Sequence, residues 1–220
     1  MVDEVVLLDF LASLFGTRVR IALAEKGIKY EFKEEELLNK SALLLKMNPI
    51  HKKFPVLIHN GKPVCESLII VQYIDEVWND KSSLLPFDPY PRAYARFWAD
   101  FIDNKVYEDS RKIWTTKGGE QELATKEFIE KLKILEGQLG DHPYFGGERF
   151  GFVDLSLISF HSWFYTHEIL GNFKMEAECP KIIAWAKRCL QKEFIANTLP
   201  DPKKVYEHAM KMRRLRYGVE

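Results

Sequence analysis

The sequence predicts a two-part chain, an α/β part at the N-terminus followed by an all-helical part. Three observations carry this. Short β-rich runs alternate with helical patterns over residues 1–78. A break follows at residues 79–90, where Asp80-Lys-Ser-Ser and the prolines Pro86 and Pro89, with Pro91 just beyond, mark a linker. Over residues 91–220 no convincing strand appears and apolar residues recur at helical spacing.

Val5-Val6-Leu7-Leu8-Asp9 is a buried-strand candidate, and Phe10 to Ser13 is a loop. From Leu14 or Phe15 to Lys26, the residues Phe15, Val19, Ala22 and Leu23 share a helical face, and Gly27 is a good stop. Lys29 to Lys33 is a second strand, and Ser41 to Met47 a short helix or turn. Val56 to His59 and Lys62 to Cys65 flank Asn60-Gly61, which supplies the positive φ angles of a tight hairpin. Pro63 cannot donate to a ladder, so its strand belongs at a sheet edge. Ser67 is the expected N-cap of an apolar helix reaching Trp78. The order β-α-β-α-β-β-α matches a thioredoxin-like domain. Beyond the linker, helices are expected at Arg92–Lys117, Gln121–Leu139, Phe152–Thr166, Pro180–Leu190 and Asp201–Arg216, with a loop from His142 to Gly151. Asp154 sits where it can reach back to a backbone N–H at the start of the Phe152 helix, a structural role.

Composition excludes several classes. Lys+Arg and Asp+Glu balance at 32 each, which argues against a nucleic-acid partner. No apolar run reaches the roughly 18 residues of a membrane span. The acidic start Met-Val-Asp-Glu lacks the basic region of a signal peptide, so a cytoplasmic location is expected. Cys65, Cys179 and Cys189 are too sparse and scattered for a disulfide framework and read as small hydrophobes with free thiols. The six histidines show no metal-ligand spacing, and no metal site is expected.

The chemistry concentrates in residues 48–67. Before Pro55, Phe54 must be extended, so its backbone groups can face a bound peptide. The helix opening at Ser67 offers unpaired N–H groups and the positive end of a dipole, a seat for a carboxylate. Glu66 can hold an ammonium group beside it. One short segment can therefore take a zwitterionic amino-acid head and an extended peptide together.

Lys53-Phe54-Pro55-Val56-Leu57 followed by Glu66-Ser67 resembles the glutathione-binding segment of soluble glutathione transferases. The longer wording from Asn48 to Lys53 and from Glu66 to Trp78 resembles the plant tau class, and the likeness covers nearly the whole chain. The resemblance implies a thioredoxin-like domain plus an all-α domain. It also implies conjugation of glutathione to hydrophobic electrophiles in detoxification, with a glutathione peroxidase side activity also in view, and assembly as a homodimer. Phe54, Glu76, Arg92 and Arg96 are candidates for the dimer contact. Glutathione enters as co-substrate, with no further cofactor.

By the same resemblance Ser13 is the hydroxyl that hydrogen-bonds the glutathione sulfur. A thiol with a pKa near 8.5 is only slightly ionised at neutral pH, and a hydroxyl donor at a helix N-terminus favours the anion. Read from the residues alone, Ser13 could simply cap the helix. Lys40 and Lys53 are implied contacts for the glycyl carboxylate, Phe54 for the cysteinyl backbone, Glu66 for the γ-glutamyl ammonium and Ser67 for its carboxylate. Phe15, Tyr107, Arg111, Trp114 and Trp163 are implied walls of the hydrophobic substrate pocket, although core packing is an equal reading for each aromatic. Two positions depart from the usual tau wording. Leu14 stands where proline commonly follows the serine, and Phe54 replaces a smaller aliphatic residue.

Two rival functions remain at this level. A thiol transferase or dehydroascorbate reductase would need a cysteine where Ser13 stands. A non-catalytic carrier of hydrophobic ligands on the same scaffold is kept open by Leu14.

Overall fold

The computed structural model describes residues 3–80 and 83–219; residues 81 and 82, within the expected linker, lie outside the described residues. The chain divides into two compact units, the first ending at Leu85 and the second beginning at Pro86.

The first unit runs β1 (Val5–Asp9), α1 (Leu14–Lys26), β2 (Glu31–Glu34), α2 (Ala42–Met47), β3 (Val56–His59), β4 (Lys62–Cys65) and α3 (Ser67–Val77). The sheet order is β2-β1-β3-β4. β1 pairs parallel with β2, Leu7 opposite Phe32, and antiparallel with β3, Leu7 opposite Leu57. β4 closes one edge, as its proline requires, and Pro63 lies opposite Ile58. Asn60 and Gly61 take φ values of 49° and 77°, the positive pair that a two-residue hairpin needs.

Strand alternation divides the core. Val6, Leu8, Val56 and Ile58 share a face with Leu44 of α2. Leu7 and Leu57 therefore point to the other face, where α1 and α3 pack together. Gly27 ends α1 in the left-handed region, its amide and that of Ile28 closing on Ala24 and Leu23.

Asp75 of α3 fixes the end of this unit. Its carboxylate accepts from the amides of Leu84 and Leu85 at 2.9 and 3.1 Å and from the Ser83 hydroxyl, and it pairs with Lys26 at 2.8 Å. Burial alone would raise its pKa, but these donors hold it below the usual carboxylate value.

The second unit contains α4 (Pro89–Phe101), a π-helical turn (Ile102–Val106), α5 (Tyr107–Thr115), α6 (Gly119–Leu139), α7 (Phe152–Ile158), α8 (His161–Gly171), α9 (Met175–Glu178), α10 (Pro180–Cys189), α11 (Glu193–Ala196) and α12 (Pro202–Tyr217). α5 packs on α6 and α8, and α12 on α8 and α5. Phe128, Leu132 and Leu135 of α6 are fully buried, as are Phe160 and Trp185.

Two long helices expected from the sequence are interrupted. Arg92–Lys117 contains the π turn, in which the Tyr107 amide reaches back to Ile102 and resets the phase of α5. Phe152–Thr166 breaks at Ser159 and Phe160. There the Ser156 and Ser159 hydroxyls bond to the carbonyls of Phe152 and Ser156, and the Phe160 amide tightens onto Leu157. Hydroxyls that take backbone partners in this way loosen a helix. Among the described residues, no helix is long and apolar enough to cross a membrane.

Candidate active site

Ser13 lies at the junction of β1 and α1. Its backbone is extended, with φ −70° and ψ 118°, and its Oγ accepts the Gly16 amide at 3.1 Å. It is thus the N-cap of α1, the plainer of the two readings from sequence. The capping bond occupies one lone pair and leaves the O–H hydrogen to donate elsewhere. Capping and donation to a sulfur anion are therefore compatible.

The second cluster is the 48–67 segment. Asn48 accepts the His51 amide and donates to the Lys53 carbonyl at 2.8 Å, which shapes the turn ahead of Phe54. The Phe54–Pro55 peptide is cis, and the Phe54 ring packs on Phe10 with centroids 6.1 Å apart. Lys53 is exposed and Lys40 half-buried. Lys40 directly precedes Ser41, the N-cap of α2, which Glu35 holds through both its hydroxyl and its amide.

Glu66, not Ser67, is the N-cap residue of α3. Ser67 is the first helical residue, and among the described residues no side chain caps this end. The reason is the backbone of Glu66, held at φ 68°, which turns the chain one residue earlier than expected. The Glu66 side chain is exposed, with its carboxylate 3.6 Å from His51 Nδ1. Ser67 is buried, and its Oγ receives a hydrogen bond from Arg18 Nη1 at 3.4 Å. Arg18 itself is fully buried on α1, its guanidinium 5.2 Å from the centroid of the Phe15 ring.

Sequence reasoning missed Arg18, and also Asp9 and Arg20. Arg20 pairs with Asp9, and both are buried. Burial pushes the Asp9 carboxyl up to about 7, against the pull of Arg20. Gly16 makes room for it: a Cβ there would lie 1.8 Å from the Asp9 carboxylate. The available signal was two arginines spaced within the apolar pattern of α1.

In the helical unit, Tyr107, Arg111 and Trp114 lie along α5 at spacings that put them on one face. The rings of Trp114 and Trp163 stand 5.5 Å apart. Tyr217 of α12 packs edge-on against Trp114, and Arg213 donates to the Trp114 carbonyl at 3.1 Å. Phe15 belongs to the other unit. Cys179 and Cys189 are free and buried, which pushes both thiols well up, and Cys65 is free and half-buried.

Two family models match the chain, the glutathione S-transferase N-terminal domain over residues 3–76 and the glutathione S-transferase C-terminal domain over residues 107–193. The chain is 67% identical to the probable glutathione S-transferase parC of Nicotiana tabacum, over 99% of each sequence. This chain belongs to the glutathione S-transferase family. Its likeness runs to the tau class: it is 62% identical to glutathione S-transferase U19 of Arabidopsis thaliana, over 97% of this chain and 98% of that one. A rice glutathione transferase, OsGSTU1, solved in complex with glutathione, superposes with a TM-score of 0.94 at 45% identity, covering 98% of this chain and 99% of the rice chain. The tau-class enzyme of mango gives 0.90 at 41% identity over 95% and 98%. As a glutathione S-transferase the chain has the expected thioredoxin-like unit and helical unit.

Proposed function

We propose that this glutathione S-transferase joins glutathione to hydrophobic electrophiles and that Ser13 holds the tripeptide's sulfur as a thiolate. The placement of Ser13 carries the reading. Its oxygen is anchored by the Gly16 amide, which fixes where Oγ sits and leaves the hydroxyl hydrogen to donate to the sulfur. The end of α1 adds the positive pole of the helix, which favours an anion at this point. A single charge-assisted hydrogen bond contributes about 1.5–3 kcal/mol, enough to lower a thiol pKa by roughly one to two units.

The remaining contacts follow from charge. Glu66 takes the γ-glutamyl ammonium. The opening of α3 at Ser67, backed by the buried Arg18, takes the adjacent carboxylate. Lys40 and Lys53 take the glycyl carboxylate, and the backbone of Phe54 pairs with the cysteinyl unit. Tyr107, Arg111, Trp114 and Trp163 of the helical unit form the electrophile's surroundings. With an aryl chloride, the thiolate sulfur attacks the ring carbon, a C–S bond forms, and chloride leaves with the C–Cl electron pair. No oxidant or further cofactor enters this balance. Residues 1–78 serve glutathione and residues 91–220 the electrophile, in a cytoplasmic homodimer that serves detoxification. The absence of a cysteine at position 13 disfavours disulfide exchange.

The test is conjugation of 1-chloro-2,4-dinitrobenzene by the wild type and by Ser13→Ala. Turnover by the wild type and a loss of roughly ten- to hundredfold in the variant are expected. No turnover by the wild type would leave a carrier of hydrophobic ligands instead. Equal turnover in the two would remove Ser13 from the mechanism.

A further inference from the structure

Arg20 lies two turns along α1 from Ser13, yet its side chain is buried. A guanidinium withdrawn from water must be paired and hydrogen-bonded. Among the described residues, its hydrogen-bond partners belong to the segment around Ser13. Besides the ion pair with Asp9, Nη2 donates to the Leu11 carbonyl at 2.8 Å and Nη1 approaches the Phe10 carbonyl at 3.4 Å. Nη2 also donates to Thr17 Oγ1 at 2.8 Å. Thr17 Oγ1 in turn donates to the Ser13 carbonyl at 2.9 Å, beside the Thr17 amide, also at 2.9 Å. One buried guanidinium thus holds Phe10 and Leu11 directly and Ser13 through Thr17.

We propose that Arg20 and Thr17 are positioning residues for Ser13: they fix the main chain that carries its hydroxyl and so set how strongly a bound thiolate is stabilised. The inference rests on the reading of Ser13 as the sulfur's partner. Leu14 makes the clamp necessary. It occupies the first helical position, where a proline would preset φ. With leucine there, the approach to the helix is held by side-chain hydrogen bonds instead. Asp9 is the guanidinium's acidic partner, and the missing side chain of Gly16 lets its carboxyl group pack beneath the turn. The planar fork of arginine suits a set of separate acceptors, which a lysine ammonium reaches less completely.

The experiment is a pH profile of kcat at saturating glutathione and 1-chloro-2,4-dinitrobenzene, run on the wild type, Thr17→Val and Arg20→Lys, each with its KM for glutathione and its melting temperature. Thr17→Val keeps the shape and removes the relay. Arg20→Lys keeps a charge opposite Asp9 and covers the case in which the valine variant does not fold. Both are expected to move the profile's inflection up by roughly half to one pH unit, lowering kcat below the inflection roughly three- to tenfold, with KM for glutathione changed by less than about twofold. Thr17→Ser, which restores the hydroxyl, is expected to shift the inflection less than Thr17→Val.

A folded variant that keeps the wild-type inflection, or that changes KM alone, overturns the role of the clamp and leaves the Ser13 reading standing. A wild-type inflection already at the value of free glutathione overturns the Ser13 reading and the clamp with it.

Discussion

Trp185 Nε1 donates to Asp154 Oδ1 at 2.8 Å within the core of the helical unit. The same carboxylate accepts the Phe145 amide at 3.0 Å and, through Oδ2, the Gly151 amide at 3.0 Å. One buried side chain therefore joins the loop before α7, the first turn of α7 and a tryptophan of α10.

Removing that carboxylate strands three donors. A buried unpaired group costs about 1–3 kcal/mol, so the Trp185 N–H alone makes Asp154→Ala destabilising by about that much, and the two part-buried amides add less each. Trp185→Phe leaves the two amides satisfied and is expected to cost less. Urea denaturation of the three proteins checks the order. Equal midpoints for wild type and Asp154→Ala would mean that the carboxylate does not hold these elements together.

Asp154 and His167 make opposite contributions to stability as pH changes. Burial pushes Asp154 from 3.8 up to about 6, so its contribution is full below about pH 4 and is lost as pH rises through 6. Burial pushes His167 from 6.5 down to about 3; its Nε2 sits 3.0 Å from the Ser110 hydroxyl. A depressed histidine stabilises above pH 6.5 and loses that contribution as pH falls toward 3. The histidine's shift is the larger, on the order of 5 kcal/mol over its range, and should dominate the acid limb. His167→Gln is expected to flatten the fall in urea midpoint between about pH 6.5 and 4. An unchanged slope would place the acid sensitivity elsewhere.

Glu66 is exposed, and its carboxylate lies 3.6 Å from His51 Nδ1. Its loss should therefore leave the fold intact and act on binding. Glu66→Ala is expected to raise KM for glutathione by roughly tenfold, about 1.4 kcal/mol, with a smaller change for the electrophile. Steady-state kinetics with each substrate varied in turn decides this. Equal changes in both constants would take Glu66 away from the γ-glutamyl head.

Local chemistry made much of the fold legible in the sequence. Asn60-Gly61 allowed one tight turn, Pro63 demanded an edge strand, and Gly27 ended α1 where the apolar pattern ended. The interruptions were less visible. Ser156 and Ser159 read as tolerable helix residues, and only their backbone partners reveal the break at Phe160. The short α9 and α11 carry too few residues for a periodic signal.

The site divides the same way. Ser13, Phe54, Glu66 and Ser67 stand out because turns and helix starts announce themselves in sequence. Arg18 and Arg20 do not, since a charged residue in a helix is ordinarily read as facing water. Their burial depends on Ser67 and Asp9, which are distant in sequence or belong to another element. The cap at Glu66 was hidden for a related reason. A non-glycine residue at positive φ is uncommon, so the sequence pointed to Ser67 instead.

The most direct test follows the ultraviolet absorbance of the glutathione thiolate while the enzyme-bound tripeptide is titrated, in the wild type and in Ser13→Ala. A midpoint roughly one to two pH units below the free thiol's value near 8.5 in the wild type, returning toward that value in the variant, is the expected result. A wild-type midpoint equal to that of free glutathione, or one that Ser13→Ala leaves in place, would contradict stabilisation of the thiolate by Ser13.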